Sequence, residues 1–340
     1  MKYSYALHGL FPQLLIDDVF DFNTGLNYAV IVNDEIWRKF NKKYNNRFFK
    51  KIYFIEKNDS NSIDKIINDM KHFNGVILGI GGGTIIDISK YISQITKNTL
   101  HIFPSATTTD AFLTPSSVII DTKTGGEIII KTKAPDVVFF DMDYLKKVDY
   151  RFNVAGLGDV ISMYTASYDW KLAHLKNDEK FDSIVYYLAR RLIDSLFEIK
   201  DEIKSNSKQG IKYIIDTIIF EFFIYNMVGN NRPEVGSEHF FARLIEENMQ
   251  GDFLHGELVS LGVLIMSFFQ NQDFIRIKSL LDLLGMRYSP ADLGLNVEDV
   301  ILLMTSLNKN VQKNNYPYTI INEITLNEKN LRVAFEKILG

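Results

Sequence analysis

Histidine is scarce in this chain, six in 340 residues, and two of the six, His239 and His255, fall in one stretch, GSEHFFARLIEENMQGDFLHGE, between positions 236 and 257. Each stands near the beginning of a helical pattern. Imidazole nitrogen and carboxylate oxygen suit divalent zinc, nickel or iron, and two histidines with one carboxylate leave positions open for a substrate oxygen. No cysteine occurs. That excludes disulfides, thiolate nucleophiles and zinc ribbons, and leaves His and carboxylate to hold any metal. The separation of the two histidines matches no compact zinc motif, and the helix-borne H-E-x-x-H is absent, so spacing alone does not decide between ligands and ordinary core or surface histidines. His8, His72, His101 and His174 have no comparable context and are read as structural.

Three further stretches have chemical potential. In GVILGIGGGTIIDISK (75–90) an apolar run leads into glycines at 79, 81, 82 and 83 and then a helical pattern from Thr84. Glycine lets backbone approach a phosphate closely, and a helix start offers unpaired N–H groups and a positive dipole end. The spacing is neither G-x-G-x-x-G nor a Walker A loop, and a tight strand-to-helix turn explains the cluster when it stands alone. In FPSATTTDAFLTPSS (103–117), Thr107, Thr108, Thr109, Thr114 and Ser117 offer hydroxyls and Asp110 a charged acceptor. Such a loop also satisfies its own backbone. In VAGLGDVISMYTASYDWKLA (154–173), Asp159 starts a helical pattern, where aspartate is a standard cap. Asp169 and Lys171 read as a solvated or domain-bracing pair, with Trp170 packed between them.

These stretches need elements to position them. The first 150 residues alternate β-branched runs with amphipathic segments, the pattern of βαβ units in a parallel sheet. Strands are predicted at 28–32, 51–55, 75–78, 100–103 and 137–140, and a hairpin at 117–121 and 127–131 around Thr-Lys-Thr-Gly-Gly. Beyond Arg151, apolar residues recur at three and four spacing, as in 184–203 and 211–227, with Pro233 and Pro290 at interruptions. The expected division is an α/β domain at 1–150 and a helical domain at 151–340.

Composition fits a globular protein, with 46% hydrophobic and 24% charged residues. A net charge of -4 with dispersed lysine and arginine argues against a nucleic-acid partner. The opening residues lack the shape of a signal peptide, and the most apolar run, 258–269, is too short to cross a bilayer. A soluble cytoplasmic protein without membrane insertion is expected.

Taken in order, the four stretches resemble the iron-containing alcohol dehydrogenase and dehydroquinate synthase-like superfamily, and within it most the sn-glycerol-1-phosphate dehydrogenases. AGLGDVISMYTASYDWKLA carries the most specific match, followed by GSEHFFARL and FLHGE. The resemblance implies a dehydroquinate synthase-like fold: an α/β dinucleotide-binding domain followed by an all-α domain for metal and substrate. It implies that Gly81, Gly82, Gly83 and Asp87 meet the cofactor's pyrophosphate, and that Ser105, Thr107, Thr108 and Thr114, with Ser117 in the same loop, contact its nicotinamide half. Asp34 then lies at the adenine ribose, Asp110 at the substrate, and Asp159, His239 and His255 form the metal triad. Relatives are often homo-oligomers. One departure stands out. Glycerol-1-phosphate dehydrogenases usually carry a second, substrate-touching histidine four residues after the first metal histidine, and this chain has Arg243 there. Arginine grips phosphate or carboxylate with two bonds, and equally well faces solvent.

The implied reaction is reduction of dihydroxyacetone phosphate by NADH or NADPH, with the metal as Lewis acid, zinc first among zinc, nickel and iron. Proton supply falls to a water relay or to Asp110. A glycerol or other polyol dehydrogenase is the close alternative, and a dehydroquinate synthase-like cyclase a more distant one, since its first ligand would be glutamate.

Overall fold

The apolar runs of the N-terminal half fold into strands buried on both faces. The computed structural model describes residues 3–5, 11–17, 20, 22, 25–44, 47–55, 58–123 and 126–340; His8, Thr124 and Gly125 lie outside them. Backbone proximity divides the chain into two compact units, Met1–Asp149 and Tyr150–Gly340.

The first unit contains strands β1 (Tyr3–Tyr5), β2 (Gln13–Asp17), β3 (Tyr28–Val32), β4 (Phe49–Phe54), β5 (Val76–Gly81), β6 (Thr99–Pro104), β7 (Ser116–Ile120), β8 (Glu127–Lys131) and β9 (Val137–Asp141). Its helices are α1 (Asp34–Tyr44), α2 (Ser60–Asp69), α3 (Gly83–Thr96) and α4 (Met142–Leu145). Seven strands form one sheet in the order β1-β2-β9-β6-β5-β3-β4, parallel except for the antiparallel β1–β2 pair. Every residue of β3 and β5 is buried, which is why both read as unbroken apolar runs. Edge strand β4 alternates half-buried and exposed positions. The five predicted parallel strands are present, most of them a residue or two longer than expected. The edge pair β1–β2 was not expected, because three and five residues without strong alternation give little signal. The predicted hairpin is β7–β8, its first strand beginning one residue early.

The chain runs from β3 to β4 on one side and then crosses to β5 on the other. The order therefore reverses between β3 and β5, and a crevice opens there beyond the carboxyl ends of the strands. Asp34 follows β3, and Gly82 and Gly83 follow β5, so both border this crevice.

The second unit is helical throughout: α5 (Tyr150–Val154), α6 (Leu157–Asn177), α7 (Ser183–Lys204), α8 (Lys208–Asn226), α9 (Ser237–Asn248), α10 (His255–Phe269), α11 (Phe274–Leu284), α12 (Val297–Met304), α13 (Leu307–Lys313), a 3-10 turn at Ile320–Asn322 and α14 (Glu328–Leu339). Pro233 and Pro290 fall between helices, as predicted. The run 258–269 is the body of α10, buried nearly all round. Among the described residues no helix is long and apolar enough to cross a membrane.

His101 shows the structural role expected of it. It lies in β6 with ring centroids 5.8 Å from Tyr28 and 5.5 Å from Phe139. Burial pushes its pKa down to about 4, against the opposing pull of Asp136. The folded chain therefore binds fewer protons than the unfolded chain between about pH 6.5 and 4, so this contribution is complete above that window and is lost as pH falls through it. The predicted loss is roughly 3 kcal/mol. Urea denaturation of His101→Phe at pH 7.5 and 5 should show a smaller loss of stability on acidification than wild type; equal losses would refute this assignment.

Candidate functional site

Three helices of the second unit each place one polar side chain from their first turn into a common cluster. Asp159 is the third residue of α6, His239 the third of α9 and His255 the first of α10. Their candidate ligand atoms all lie within 4.8 Å of one another. His239 Nε2 is 3.6 Å and His255 Nε2 3.7 Å from Asp159 Oδ1, too far for hydrogen bonds but suited to a shared cation. Asp159 and His239 are buried and His255 half-buried. Asp159 Oδ1 is buried with no hydrogen-bond partner, a costly state that a cation would relieve. This also distinguishes Asp159 from a helix cap, since the N-cap of α6 is Gly156.

Carboxylates hold both imidazoles from behind. His239 Nδ1 lies 3.0 Å from Glu238 Oε1, and His255 Nδ1 lies 2.8 Å from Glu246 Oε1. If each Nδ1 donates, each Nε2 is left bare and facing the cluster, the tautomer a metal ligand needs. Glu238 is fully buried, accepts from Gly236 N at 2.6 Å and takes Thr165 Oγ1 at 2.7 Å on its other oxygen. Sequence reasoning missed Glu238, Glu246 and Thr165, although Glu238 adjoins a proposed ligand. Electrostatics follow the geometry. Burial opposes the charged form of all three cluster residues, but the imidazoles still hold Asp159 below the usual carboxylate range. Asp159 and Glu238 raise His239, and Glu246 with Asp159 raise His255 to about 9.

Close backbone packing brings the helix starts together. A Cβ on Gly158 would lie 2.2 Å from Gly256 O, and one on Gly256 would lie 1.9 Å from Ala155 O. No side chain fits at either position. The turn before α10 is held by Arg151, which bonds Glu257 through Nε at 2.7 Å and Nη2 at 2.9 Å and Asp252 through Nη1 at 2.9 Å, while Glu257 accepts from Leu254 N at 2.8 Å.

Asp169 differs from expectation. It is fully buried rather than solvated and does not pair with Lys171. Its carboxyl accepts from Ser237 N, Ser237 Oγ, Gln270 Nε2 and Ile320 N at 2.6–3.0 Å, anchoring the start of α9. Burial, with Glu238 nearby, pushes it up to about 7. Lys171 instead lies over the Tyr186 ring, and Trp170 is packed as expected. Arg243 is one turn beyond His239 on α9, half-buried, with its guanidinium 5.8 Å from the Tyr316 ring centre. Among the described residues no carboxylate pairs with it, and its charge reaches His255.

In the first unit, the glycine and hydroxyl loops lie side by side. Ser105 N donates to Gly81 O at 2.9 Å, and Cβ atoms on Gly82 and Gly83 would lie 4.0 Å from Thr108 Oγ1 and 3.3 Å from Thr109 Oγ1. The N-cap of α3 is Gly82, with no side-chain cap, so the helix start remains open to an anion. Thr107 is fully buried, and Asp110 is half-buried in the same loop. Asp34 is exposed at the start of α1 and pairs with Arg38. Asp87, Thr114 and Ser117 bond to neighbouring parts of the same unit. Asp87 pairs with the fully buried Lys90 at 2.8 Å and accepts from Val118 N at 3.1 Å; burial raises its pKa and Lys90 opposes the rise. Lys90 also reaches Thr114 Oγ1 at 3.3 Å and the carbonyl of Ser116. Ser117 is buried against Thr132.

Comparison with known proteins finds relatives over most of the chain. Residues 18–148 match the iron-containing alcohol dehydrogenase family. A glycerol-1-phosphate dehydrogenase [NAD(P)+] of Methanosphaera stadtmanae is 30% identical over 255 residues, 75% of this chain and 72% of that protein. One from Saccharolobus islandicus is 29% identical over 304 residues, 88% and 84% of the two chains. A probable glycerol dehydrogenase from Sinorhizobium meliloti has a similar fold, with TM-score 0.68, 19% identity and coverage of 93% and 91%. The iron-containing alcohol dehydrogenase of Corynebacterium glutamicum gives TM-score 0.69 at 13% identity, covering 99% and 97%.

Replacing Glu238 by Gln keeps the shape but removes the acceptor behind His239. Zinc affinity, measured by competition with a chromogenic chelator, is predicted to fall roughly 10- to 100-fold. Zinc uptake near pH 7 should also release protons, and affinity should weaken as pH drops below 9, because His255 must lose its proton to bind. Calorimetric heats that do not depend on the buffer's ionisation enthalpy would contradict this.

Proposed function

Because this chain belongs to the glycerol-1-phosphate dehydrogenase family of the iron-containing alcohol dehydrogenases, we propose that it reduces dihydroxyacetone phosphate to sn-glycerol 1-phosphate with NADH or NADPH. It is an oxidoreductase of the alcohol dehydrogenase type. The observation that carries the substrate and metal reading is the cluster of Asp159, His239 and His255 around a buried, unpartnered carboxylate oxygen.

Asp159, His239 and His255 would hold a divalent cation, zinc before nickel or iron, which when bound would supply Lewis-acid chemistry at the substrate carbonyl. Glu238 and Glu246 keep the imidazoles oriented, so the ligand set is formed before substrate arrives. Arg243 offers a planar pair of donors to the substrate phosphate. In the first unit, the open start of α3 and Gly81–Gly83 take the pyrophosphate, and Ser105, Thr107 and Thr108 contact the nicotinamide half. Asp87 and Thr114 support those loops through Lys90. Asp34 accepts from the adenine ribose and disfavours a 2′-phosphate, while its partner Arg38 would favour one. Asp110 binds substrate and is the side chain proposed to donate the proton to the new hydroxyl.

Absorbance at 340 nm should report a strong preference of the zinc-loaded protein for dihydroxyacetone phosphate over dihydroxyacetone, with activity lost to a chelator. Asp159→Asn should lower turnover on the order of 100-fold while leaving NADH binding, followed by its fluorescence, unchanged. Arg243→Gln should raise the KM for the phosphate ester roughly tenfold or more and leave the free ketone nearly unaffected. Equal use of both ketones by wild type would move the assignment to a polyol dehydrogenase. Unchanged turnover across pH in Asp110→Asn would remove Asp110 as proton donor.

A further inference from the structure

Among the described residues, the Arg243 guanidinium makes neither a hydrogen bond nor an ion pair, although it is half-buried and its charge reaches His255. What it meets is the ring of Tyr316, whose centre lies 5.8 Å away, within the range of a cation–π contact. Tyr316 also stacks on the buried Phe240, with ring centres 4.4 Å apart and planes inclined by 24°. Phe240 and Arg243 stand three residues apart on α9 and so share one side of it. A single ring therefore covers one turn of the helix that carries His239.

The backbone on either side of Tyr316 is fixed. Asn315 adopts φ 50°, Tyr316 N donates to Val311 O at 3.1 Å and Asn315 N to Gln312 O at 3.3 Å, the bonds of a Schellman motif closing α13. Asparagine tolerates the left-handed position, and Pro317 bars continuation of the helix. Downstream, Tyr318 O accepts from the buried Arg232 Nη2 at 2.7 Å, and Ile320 N donates to Asp169 Oδ1 at 2.8 Å. The other oxygen of Asp169 holds Ser237 at the start of α9. One buried carboxylate thus ties the segment bearing Tyr316 to the helix bearing Arg243. An arginine free in solvent loses rotamer freedom when it grips a ligand, and one already steadied by a ring has less to lose. A carboxylate could steady it too, but would occupy the N–H donors that a ring leaves open.

We propose that Tyr316 is a positioning residue for Arg243, steadying its guanidinium with the N–H donors free for the phosphate of a phosphorylated ketone. This rests on the phosphate-ester reading given above. Two measurements separate the contact from the substrate. Urea denaturation of Tyr316→Leu, Arg243→Gln and the double variant reads the contact without any ligand: the two changes together should destabilise by less than the sum of each alone. Steady-state kinetics of the zinc-loaded enzyme read its use. Tyr316→Leu should raise the KM for dihydroxyacetone phosphate roughly fivefold, with a much smaller change in kcat or in the KM for dihydroxyacetone. Tyr316→Phe keeps the ring and should restore the ester KM, whereas Tyr316→Leu in the Arg243→Gln background should add little. Phenylalanines carrying more and more fluorine at position 316 keep the shape while draining the ring face of negative charge, so the ester KM should climb stepwise along that series. A role in packing alone would leave it flat. Strictly additive stabilities, a flat fluorine series, or equal rises in KM for both ketones would overturn the role of Tyr316. Equal use of the two ketones by wild type, with the stability coupling intact, would instead overturn the substrate reading and leave the contact standing.

Discussion

The approach of Gly158 to Gly256 governs the helical unit. Backbone meets backbone there with no room for a methyl group, and this contact sets how far the first turn of α6 stands from that of α10. Asp159 follows one glycine and His255 precedes the other, so the ligand separation is inherited from main-chain packing rather than from flexible side chains. A site built this way is held by close-packed core, which resists small displacements. The third helix is fixed by different means, the buried Asp169 drawing in Ser237 at the start of α9.

Three helix starts around one cluster create an electrostatic problem. Their dipoles present positive ends to the site, which favours the Asp159 carboxylate but opposes a cation and a protonated imidazole. Glu238 and Glu246 answer that field. The N-cap residues of these helices, Gly156, Gly236 and Leu254, supply no capping side chain of their own, whereas α7, α8, α12 and α14 are capped by Asp182, Ser207, Asn296 and Asn327. Glu238 serves both cluster and helix end, accepting from Gly236 N while it holds His239. With a dication present, the three carboxylates and Arg243 would leave the neighbourhood close to neutral, a setting that tolerates an anionic ligand.

What could be read from the sequence follows from how each residue is used. Strands β3 and β5 were visible because burial on both faces demands an unbroken apolar run, and α7 and α8 because an apolar face repeats every turn. The histidines stood out by rarity. Glu238 and Glu246 did not, since glutamate on a helix normally faces water and only the fold reveals what stands behind an imidazole. Asp169 misled and Lys90 drew no notice for the same reason: charged residues are read as exposed, and both are fully buried with partners supplied largely by other segments. The β1–β2 pair was too short to announce itself.

Lys90 ties together three parts that the sequence presents separately. From α3 its side chain reaches Asp87, the end of the hydroxyl-rich loop at Thr114, and β7 at Ser116. Order in any one of these is therefore partly order in the others. A ligand that immobilises the start of α3 reduces the conformational entropy still to be lost by the hairpin, and a partner that immobilises the hairpin does the same for the loop. Such coupling needs no change of shape, and it acts equally in both directions.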